Sequence, residues 1–210
     1  MMSVALATLF GASHANAQSL ITRTMERMYF GPKVEANASG FFLSDMPATS
    51  SRIGFGGSAG GFIGFRLGKH FSVQEDILVH YQTSQLKTDG IEADYRNLGA
   101  KLSFYAVGHW NVGNNRILVG TGPFVGYGLD AKYDLENTEI DLYEKNAEGE
   151  KLFQPFSVGA AVMLGYEWKC GLQINASCKV GILDQFDAWK AKATILPYRI
   201  GLGAAWRFGH

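Results

Sequence analysis

The stretch from Tyr198 to Phe208, YRIGLGAAWRF, alternates strictly between two kinds of residue. Its even positions are apolar or aromatic, whereas its odd positions hold only arginine, glycine or alanine. Because successive side chains of a β-strand point to opposite faces, this segment predicts a strand with one apolar face and one small or charged face. A strand with lipid on one side and a polar barrel interior on the other has this pattern.

Seven earlier segments repeat the alternation, so the sequence predicts eight strands. The earlier ones cover residues 29–43, 58–67, 71–84, 95–107, 116–133, 156–168 and 172–180. The connections are alternately short (68–70, 108–115, 169–171) and long and polar (44–57, 84–94, 134–153, 184–196). Outer-membrane barrels keep short turns on the periplasmic side and long loops outside. The predicted fold class is therefore all-β, an eight-stranded antiparallel up-and-down transmembrane β-barrel.

Aromatic residues on the apolar parity fall into two groups, one at each end of the strands. Beside the short turns stand Phe30, Phe65, Phe71, Phe104, Trp168, Trp206 and Phe208. Toward the long loops stand Phe42, Tyr81, Tyr127, Phe156 and Tyr198. Two such belts are typical of a membrane span. The alternative is a soluble β-sandwich with these rings in its core, which must then bury charges such as Lys33, Asp76 and Arg199 at high cost.

The composition fits one membrane-exposed domain. The chain has 210 residues with 19 basic and 19 acidic side chains, so it has no general attraction to nucleic acid. Its 26 glycines suit a narrow barrel, in which backbones and side chains approach closely. No apolar run approaches the roughly 20 residues of a transmembrane helix.

The N-terminus has the features of a secretory signal peptide. An apolar run from Val4 to Phe10 is followed by Ala15 and Ala17, the small residues that signal peptidase needs before its cut. No basic residue precedes the run, which leaves open a start upstream of Met1, a weak signal, or a buried N-terminal strand or helix. The predicted domains are a signal peptide, a periplasmic leader and an outer-membrane β-barrel, residues 1–17, 18–28 and 29–208.

Two segments resemble the outer-membrane protein β-barrel domain family, small eight-stranded barrels of Gram-negative bacteria. Phe71–Val79 (FSVQEDILV) resembles the family's third strand, and Val119–Tyr127 (VGTGPFVGY) resembles its fifth. The resemblance covers residues 29–208 and implies a location in the cell outer membrane. Two positions depart from it: Glu75 stands where the family often has proline, and two residues follow Phe208, where the family usually ends on an aromatic.

Charged residues on the inward parity are predicted to fill the lumen. An eight-stranded barrel has an interior just wide enough for its own side chains. The predicted inward set consists of Lys33, Arg66, Lys101, Lys132, Lys179, Arg199 and Arg207, with Glu35, Asp76, Asp130 and Glu167. Mutual pairing of these charges would make a polar plug, and a narrow ion path is the alternative interpretation.

No catalytic, cofactor-binding or metal-binding residue is assigned. Serine hydrolysis needs a Ser-His-acid set, and His80 with Ser72 or Ser84 and Asp76 shares one predicted strand face. That face points into the lumen, away from a lipid substrate, and the motifs of lipid A acyltransferases and deacylases are absent. The five histidines lack metal-ligand spacing, and there is no Cys/His cluster. We therefore predict that the protein is not an enzyme and has no cofactor.

The segment 134–153 carries seven acidic residues against two lysines. It is either a solvated hairpin tip or a recognition site, for divalent cations that bridge lipopolysaccharide phosphates or for a basic partner surface. We predict a structural or surface-interaction barrel, whose partners are outer-membrane lipid, lipopolysaccharide and an extracellular or envelope protein. The alternatives are an accessory barrel of an envelope secretion machine, which a PorT-like resemblance implies, and a lipid A-modifying enzyme.

Overall fold

The computed structural model describes residues 26–44, 49–88, 91–135, 138–141, 154–182 and 194–209. The predicted signal peptide, most of the leader and residues 142–153 of the acidic segment lie outside these ranges, so those predictions stay predictions. Within the described ranges, no helix is long and apolar enough to cross a membrane.

The described residues form ten β-strands. They are β1 (Met28–Ser44), β2 (Thr49–Arg52), β3 (Gly54–Arg66), β4 (Phe71–Thr88), β5 (Ile91–Val112), β6 (Asn115–Leu135), β7 (Thr138–Asp141), β8 (Phe156–Glu167), β9 (Leu172–Gly181) and β10 (Thr194–Trp206). Eight of them form a closed antiparallel ring in the order β1, β3, β4, β5, β6, β8, β9, β10, with β10 paired to β1. Strand β2 continues the pairing with β4, and β7 pairs with β6. The predicted eight-stranded barrel is confirmed.

The two faces of the barrel wall have the predicted parity. On β10, Leu202 is 66% exposed and Ile200 is 52% exposed, whereas Arg199, the residue before Ile200, is only 6% exposed. On β4, Ile77 points outward and is 47% exposed, while Asp76 is fully buried. A soluble sheet would bury its apolar face instead, so the soluble sandwich alternative is wrong.

Two hairpins are longer than the sequence predicts. Strands β4 and β5 pair as far as Thr88 and Ile91, inside the predicted loop 84–94. Strands β5 and β6 pair as far as Val112 and Asn115, which leaves a two-residue turn in the predicted connection 108–115. Gly113 in that turn has a φ of 62°, a conformation that tight hairpins require and glycine adopts easily. The alternation continues into the turn end of β5, where His109 is buried and Trp110 is exposed.

A register shift between β5 and β6 corrects part of the predicted lumen. The pairing slips between Leu98 and Gly99, and the extra residue on β6 reverses the parity that follows. Ala131 is consequently fully buried, although the predicted alternation places it outside with its neighbours Asp130 and Lys132 inside. The predicted inward location of Asp130 and Lys132 assumes an uninterrupted strand, and it is wrong because the register shift turns both residues to the other face.

The inward face also contains apolar packing that the sequence analysis does not predict. One cluster joins β5, β6 and β8 and consists of Tyr105, Val107, Leu118, Phe124, Ala161 and Met163. A second cluster consists of Tyr29, Phe62 and Ala205, in which the rings of Tyr29 and Phe62 lie 6.1 Å apart. These clusters occupy space between the charged side chains, so the core of the barrel is a mixed interior.

Candidate functional site in the barrel lumen

Four charged residues meet in the middle of the lumen, and we call them the lysine–carboxylate cluster: Lys33, Glu35, Asp76 and Lys179. Lys33 Nζ lies 2.7 Å from Asp76 Oδ2 and 3.1 Å from Glu35 Oε1. Lys179 Nζ lies 3.4 Å from the other oxygen of Glu35. All four side chains are at most a few per cent exposed, so each charge depends on its partners for stabilisation.

The strand pattern explains why these four residues meet. Lys33 and Glu35 are two positions apart on β1 and therefore point to the same face. Asp76 comes from β4 and Lys179 from β9, which lie on either side of β1 and are each separated from it by one strand. Lys33 Nζ also lies 3.9 Å from Met163 Sδ on β8, so this side chain reaches across the interior.

A second charged group lies near the short turns, and we call it the turn-side cluster: Glu167, Arg116, Arg207 and Gln173. Glu167 accepts a hydrogen bond from Arg207 Nε at 3.0 Å and from Gln173 Nε2 at 2.6 Å. It also pairs with Arg116, which lies opposite it across β6 and β8. Arg116 is not in the predicted inward set, because a basic residue beside a turn is usually solvated.

The serine and histidine residues considered in the sequence analysis do not form a catalytic set. His80 Nε2 bonds to Asn97 Oδ1 at 3.1 Å, and Asp76 is occupied by Lys33 and by Gln74. The other serine, Ser84, has an Oγ with no hydrogen-bond partner within the described part of the chain.

The structure instead joins Ser72 to His109. The Ser72 hydroxyl lies 2.6 Å from His109 Nε2 and 2.9 Å from Tyr29 Oη. His109 Nδ1 has no partner among the described residues, so the carboxylate that would complete a triad is lacking there. Ser72 is fully buried in the lumen, where a lipid in the surrounding bilayer does not reach it.

The end of the lumen toward the long loops has a different character. A cavity of about 40 Å³ lies there, and we call it the vestibule. Its walls include Lys101, Arg199, His80 and Lys179. Lys101 Nζ lies 4.7 Å from the centre of the Phe124 ring, and Arg199 donates a hydrogen bond to Gln82. Lys101 and Arg199 therefore do not take part in the carboxylate pairing predicted for the inward set.

Metal binding finds no support in the described residues, among which no group of three or more His, Cys, Asp and Glu side chains is placed to hold an ion. The inward carboxylate groups of Glu35, Asp76 and Glu167 are engaged by lysine, arginine and amide groups instead. The chemistry of this lumen is that of buried ion pairs and hydrogen bonds.

Comparison with known proteins gives similarity of structure only. No protein-family model and no curated protein matches the sequence. Similar solved structures include OprG from Pseudomonas aeruginosa (13% identity, 89% of this chain, 98% of that chain, TM-score 0.49) and Neisserial surface protein A (14%, 85%, 97%, 0.48). Another is Ail, the attachment invasion locus protein of Yersinia pestis (12%, 88%, 100%, 0.45). These likenesses carry no information on ligand or activity, so the assignments below depend on this chain's own residues.

The location of the protein follows from its two faces. A closed barrel with an apolar outer face, aromatic residues at both ends and buried charges inside is stable only when lipid surrounds it. Phe30 and Trp206 mark the short-turn belt at 55% and 42% exposure, and Tyr127 and Phe42 mark the other belt at 54% each. The protein is an integral outer-membrane β-barrel.

Proposed function

We propose that the protein is a non-enzymatic barrel with a polar plug in its lumen and a surface-interaction role in its external loops. One observation carries the plug: side chains bond across the interior between strands that are not neighbours in the ring. Lys33 on β1 contacts Asp76 on β4 and Met163 on β8. Ser72 on β4 forms hydrogen bonds with Tyr29 on β1 and with His109 on β5. Such contacts occupy the path that a solute would need.

The geometry of the wall argues against an enzyme that modifies lipid A. A lipid substrate lies against the outer face, where the exposed side chains of β4 and β10 are apolar. The hydrolytic residue types Ser72, His80, His109 and Asp76 all point into the lumen. Nucleophile and substrate are therefore on opposite sides of the wall.

The binding role is assigned to the acidic segment 134–153 and stays a proposal. Its acidic residues are Asp134, Glu136, Glu139, Asp141, Glu144, Glu148 and Glu150. Carboxylates bind hard divalent cations through their oxygens, and such cations also bind phosphate. We infer that this segment engages lipopolysaccharide phosphates through Mg²⁺ or Ca²⁺, with a basic protein surface as the other partner class.

A PorT-like role in an envelope secretion machine is the second candidate. The segments on which that resemblance depends, Phe71–Val79 and Val119–Tyr127, lie within β4 and β6. They form part of the barrel wall, so the resemblance bears on architecture more than on a partner surface. The loop proposal is therefore preferred.

Single-channel recording tests the plug. We expect the purified barrel, inserted in a planar bilayer, to show no stable conductance in 1 M salt, since the lumen is occupied by its own side chains. A porin of larger strand number in the same bilayer serves as the positive control. A steady, voltage-independent conductance of the parent chain would contradict the plug and favour the ion path.

Lipopolysaccharide binding tests the loop. Deletion of residues 136–150 is expected to abolish Mg²⁺-dependent binding to lipopolysaccharide micelles, while EDTA has the same effect on the parent chain. The matched control replaces Lys145 and Lys151 by glutamine, which keeps the length and all acidic residues. Heat-dependent mobility on a denaturing gel verifies that each variant is a folded barrel. Normal binding by the deletion variant would refute the loop proposal.

A further inference from the structure

The vestibule concentrates positive charge in the part of the lumen nearest the external loops. Three cations line it, Lys101, Lys179 and Arg199, and none of the described residues on its wall is Asp or Glu. Lys179 is 2% exposed and Arg199 is 6% exposed, so neither is stabilised by bulk water. Buried cations need a counter-charge, because desolvation costs several kcal/mol per ion.

Strand register brings two of these cations together. Arg199 on β10 lies directly opposite Lys179 on β9. Like charges directly opposite each other on one face of a sheet destabilise the pair. Glu35 relieves only part of this repulsion, since it lies 3.4 Å from Lys179 and is shared with Lys33. Arg199 itself contacts a neutral amide, that of Gln82.

Several polar atoms at the vestibule have no partner in the described part of the protein. They are Arg199 Nε, Ser84 Oγ and His80 Nδ1. Arg199 Nε is a donor, and the Ser84 hydroxyl donates or accepts. His80 Nε2 is bonded to Asn97 Oδ1, an acceptor, so the neutral ring has its hydrogen on Nε2 and offers Nδ1 as an acceptor.

This set of atoms matches one ligand chemistry. Hydrogen phosphate has negatively charged oxygens for Arg199 and Lys101 and one hydroxyl that can donate to His80 Nδ1. Sulfate and chloride have no hydrogen to donate at neutral pH. A water molecule needs about 10–15 Å³ of such cavity volume, so a cavity of about 40 Å³ accommodates one tetrahedral group, and the organic part of a phosphate ester would remain outside it.

We propose that the vestibule binds a single hydrogen-phosphate group. The group is either free inorganic phosphate or a terminal phosphate monoester of an outer-leaflet glycolipid. Its charge would neutralise the Arg199–Lys179 pair and Lys101 together. This site lies inside the lumen and is independent of the acidic segment, so it goes beyond the proposed loop function.

Calorimetric titration with inorganic phosphate tests the site. The parent barrel, purified in zwitterionic detergent without phosphate, is titrated with phosphate, and sulfate and chloride at equal ionic strength serve as comparison anions. We expect phosphate alone to bind and to raise the thermal unfolding midpoint. In Arg199→Gln the phosphate affinity is expected to fall about tenfold or more, because one hydrogen bond between charged groups is lost.

The variant Arg207→Gln is the matched control. Arg207 is a lumen cation of the turn-side cluster and does not line the vestibule. Its loss is expected to lower the unfolding midpoint and to leave the phosphate affinity unchanged. In phosphate-free buffer, Arg199→Gln is expected to unfold at or above the parent midpoint, because the like-charge neighbour of Lys179 is gone. If Arg199→Gln does not fold, Lys101→Met serves for the same titration.

The outcomes separate the two sources and can overturn the site. Tighter binding of phosphorylated than of dephosphorylated lipid A in micelles assigns the site to a glycolipid phosphate, and binding of inorganic phosphate alone assigns it to the free ion. An equal response to chloride, or equal phosphate affinity of Arg199→Gln and the parent, overturns the proposal. The response is expected to persist after deletion of residues 136–150, so failure of the loop and failure of this site are distinguishable.

Discussion

The two ends of the lumen contain the same kinds of cation in different surroundings. Toward the short turns and the middle, four cations contact a carboxylate (Lys33, Lys179, Arg116 and Arg207), whereas Arg66 lies over the Tyr29 ring. Toward the long loops, Lys101 and Arg199 contact an aromatic ring and an amide and adjoin a cavity. The position of a charged residue in the alternation of its strand decides whether it points into the lumen. The register between strands decides whether an opposite charge lies within contact distance.

The difference also separates stability from binding. Charged side chains that are paired and closely packed keep a single conformation, and their hydrogen-bonding groups are not available to a ligand. Cations without a carboxylate partner cost stability and are therefore the atoms from which a ligand gains most. We accordingly assign the middle and turn-side clusters to the integrity of the barrel and the vestibule to recognition.

The largest effect is expected from Asp76→Ala. The change leaves Lys33 buried with Glu35 only, and it removes the acceptor of Gln74. Breaking one side of a buried ion pair costs about 3–5 kcal/mol. Urea unfolding of the barrel in lipid vesicles, followed by tryptophan fluorescence, should show a loss of this size.

Replacement of both partners is the control for that prediction. The double variant Lys33→Met with Asp76→Leu leaves Glu35 paired with Lys179 and strands no charge. We expect it to be more stable than Asp76→Ala, because apolar replacement of a buried pair is often neutral. A double variant that is less stable than Asp76→Ala would show that the cluster is not held by charge pairing.

A smaller effect distinguishes two inward glycines at opposite ends of the lumen. In Gly64→Ala the new methyl group would overlap the ring of Tyr29, which is 2% exposed and hydrogen-bonded to Ser72. Overpacking of this kind costs about 1–3 kcal/mol. In Gly126→Ala it would lie 2.6 Å from Ser157 Oγ and 3.2 Å from Lys101 Cε, two flexible groups beside the vestibule.

We expect Gly126→Ala to remain within about 0.5 kcal/mol of the parent, as neighbours with free space nearby can move. The same unfolding experiment compares the two variants. If both variants lost the same free energy of unfolding, the vestibule would be as closely packed as the turn side. That result would contradict the distinction between the two ends.

Strict alternation made the barrel predictable from the sequence. Each strand crosses between lipid and a polar interior, so residues such as Leu202 and Arg199 have only one stable orientation. The inward location of Lys33, Glu35, Asp76 and Lys179 followed from the same rule. Their mutual contacts also agree with the predicted pairing of inward charges.

Other features depend on strand register and on which strands are neighbours, and the alternation of residue types does not determine either. The slip between Leu98 and Gly99 adds one residue to β6 and changes the faces of Asp130 and Lys132. The partner of Arg116 depends on β6 lying beside β8, and the separation of Arg199 from the carboxylates of the described residues depends on register across several strands. The turn end of β5 was not predicted to be strand because Gly108, Gly113 and Asn114 are typical of turns, although His109–Val112 still alternates.

The long β4–β5 hairpin extends beyond the aromatic belt. The outward rings of Phe71 and Tyr81 span one crossing of the bilayer, and residues 82–88 then continue paired with 91–97. At about 3.3 Å per residue and a tilt near 45°, the ribbon ends roughly 15 Å beyond the aromatic belt. Strand β2 widens the hairpin by pairing with β4, and β7 pairs with β6 on the other side of β5. A large molecule approaching the cell, such as an antibody, therefore reaches this hairpin before it reaches lipid, and we expect an epitope tag placed between Thr88 and Ile91 to be accessible on intact cells.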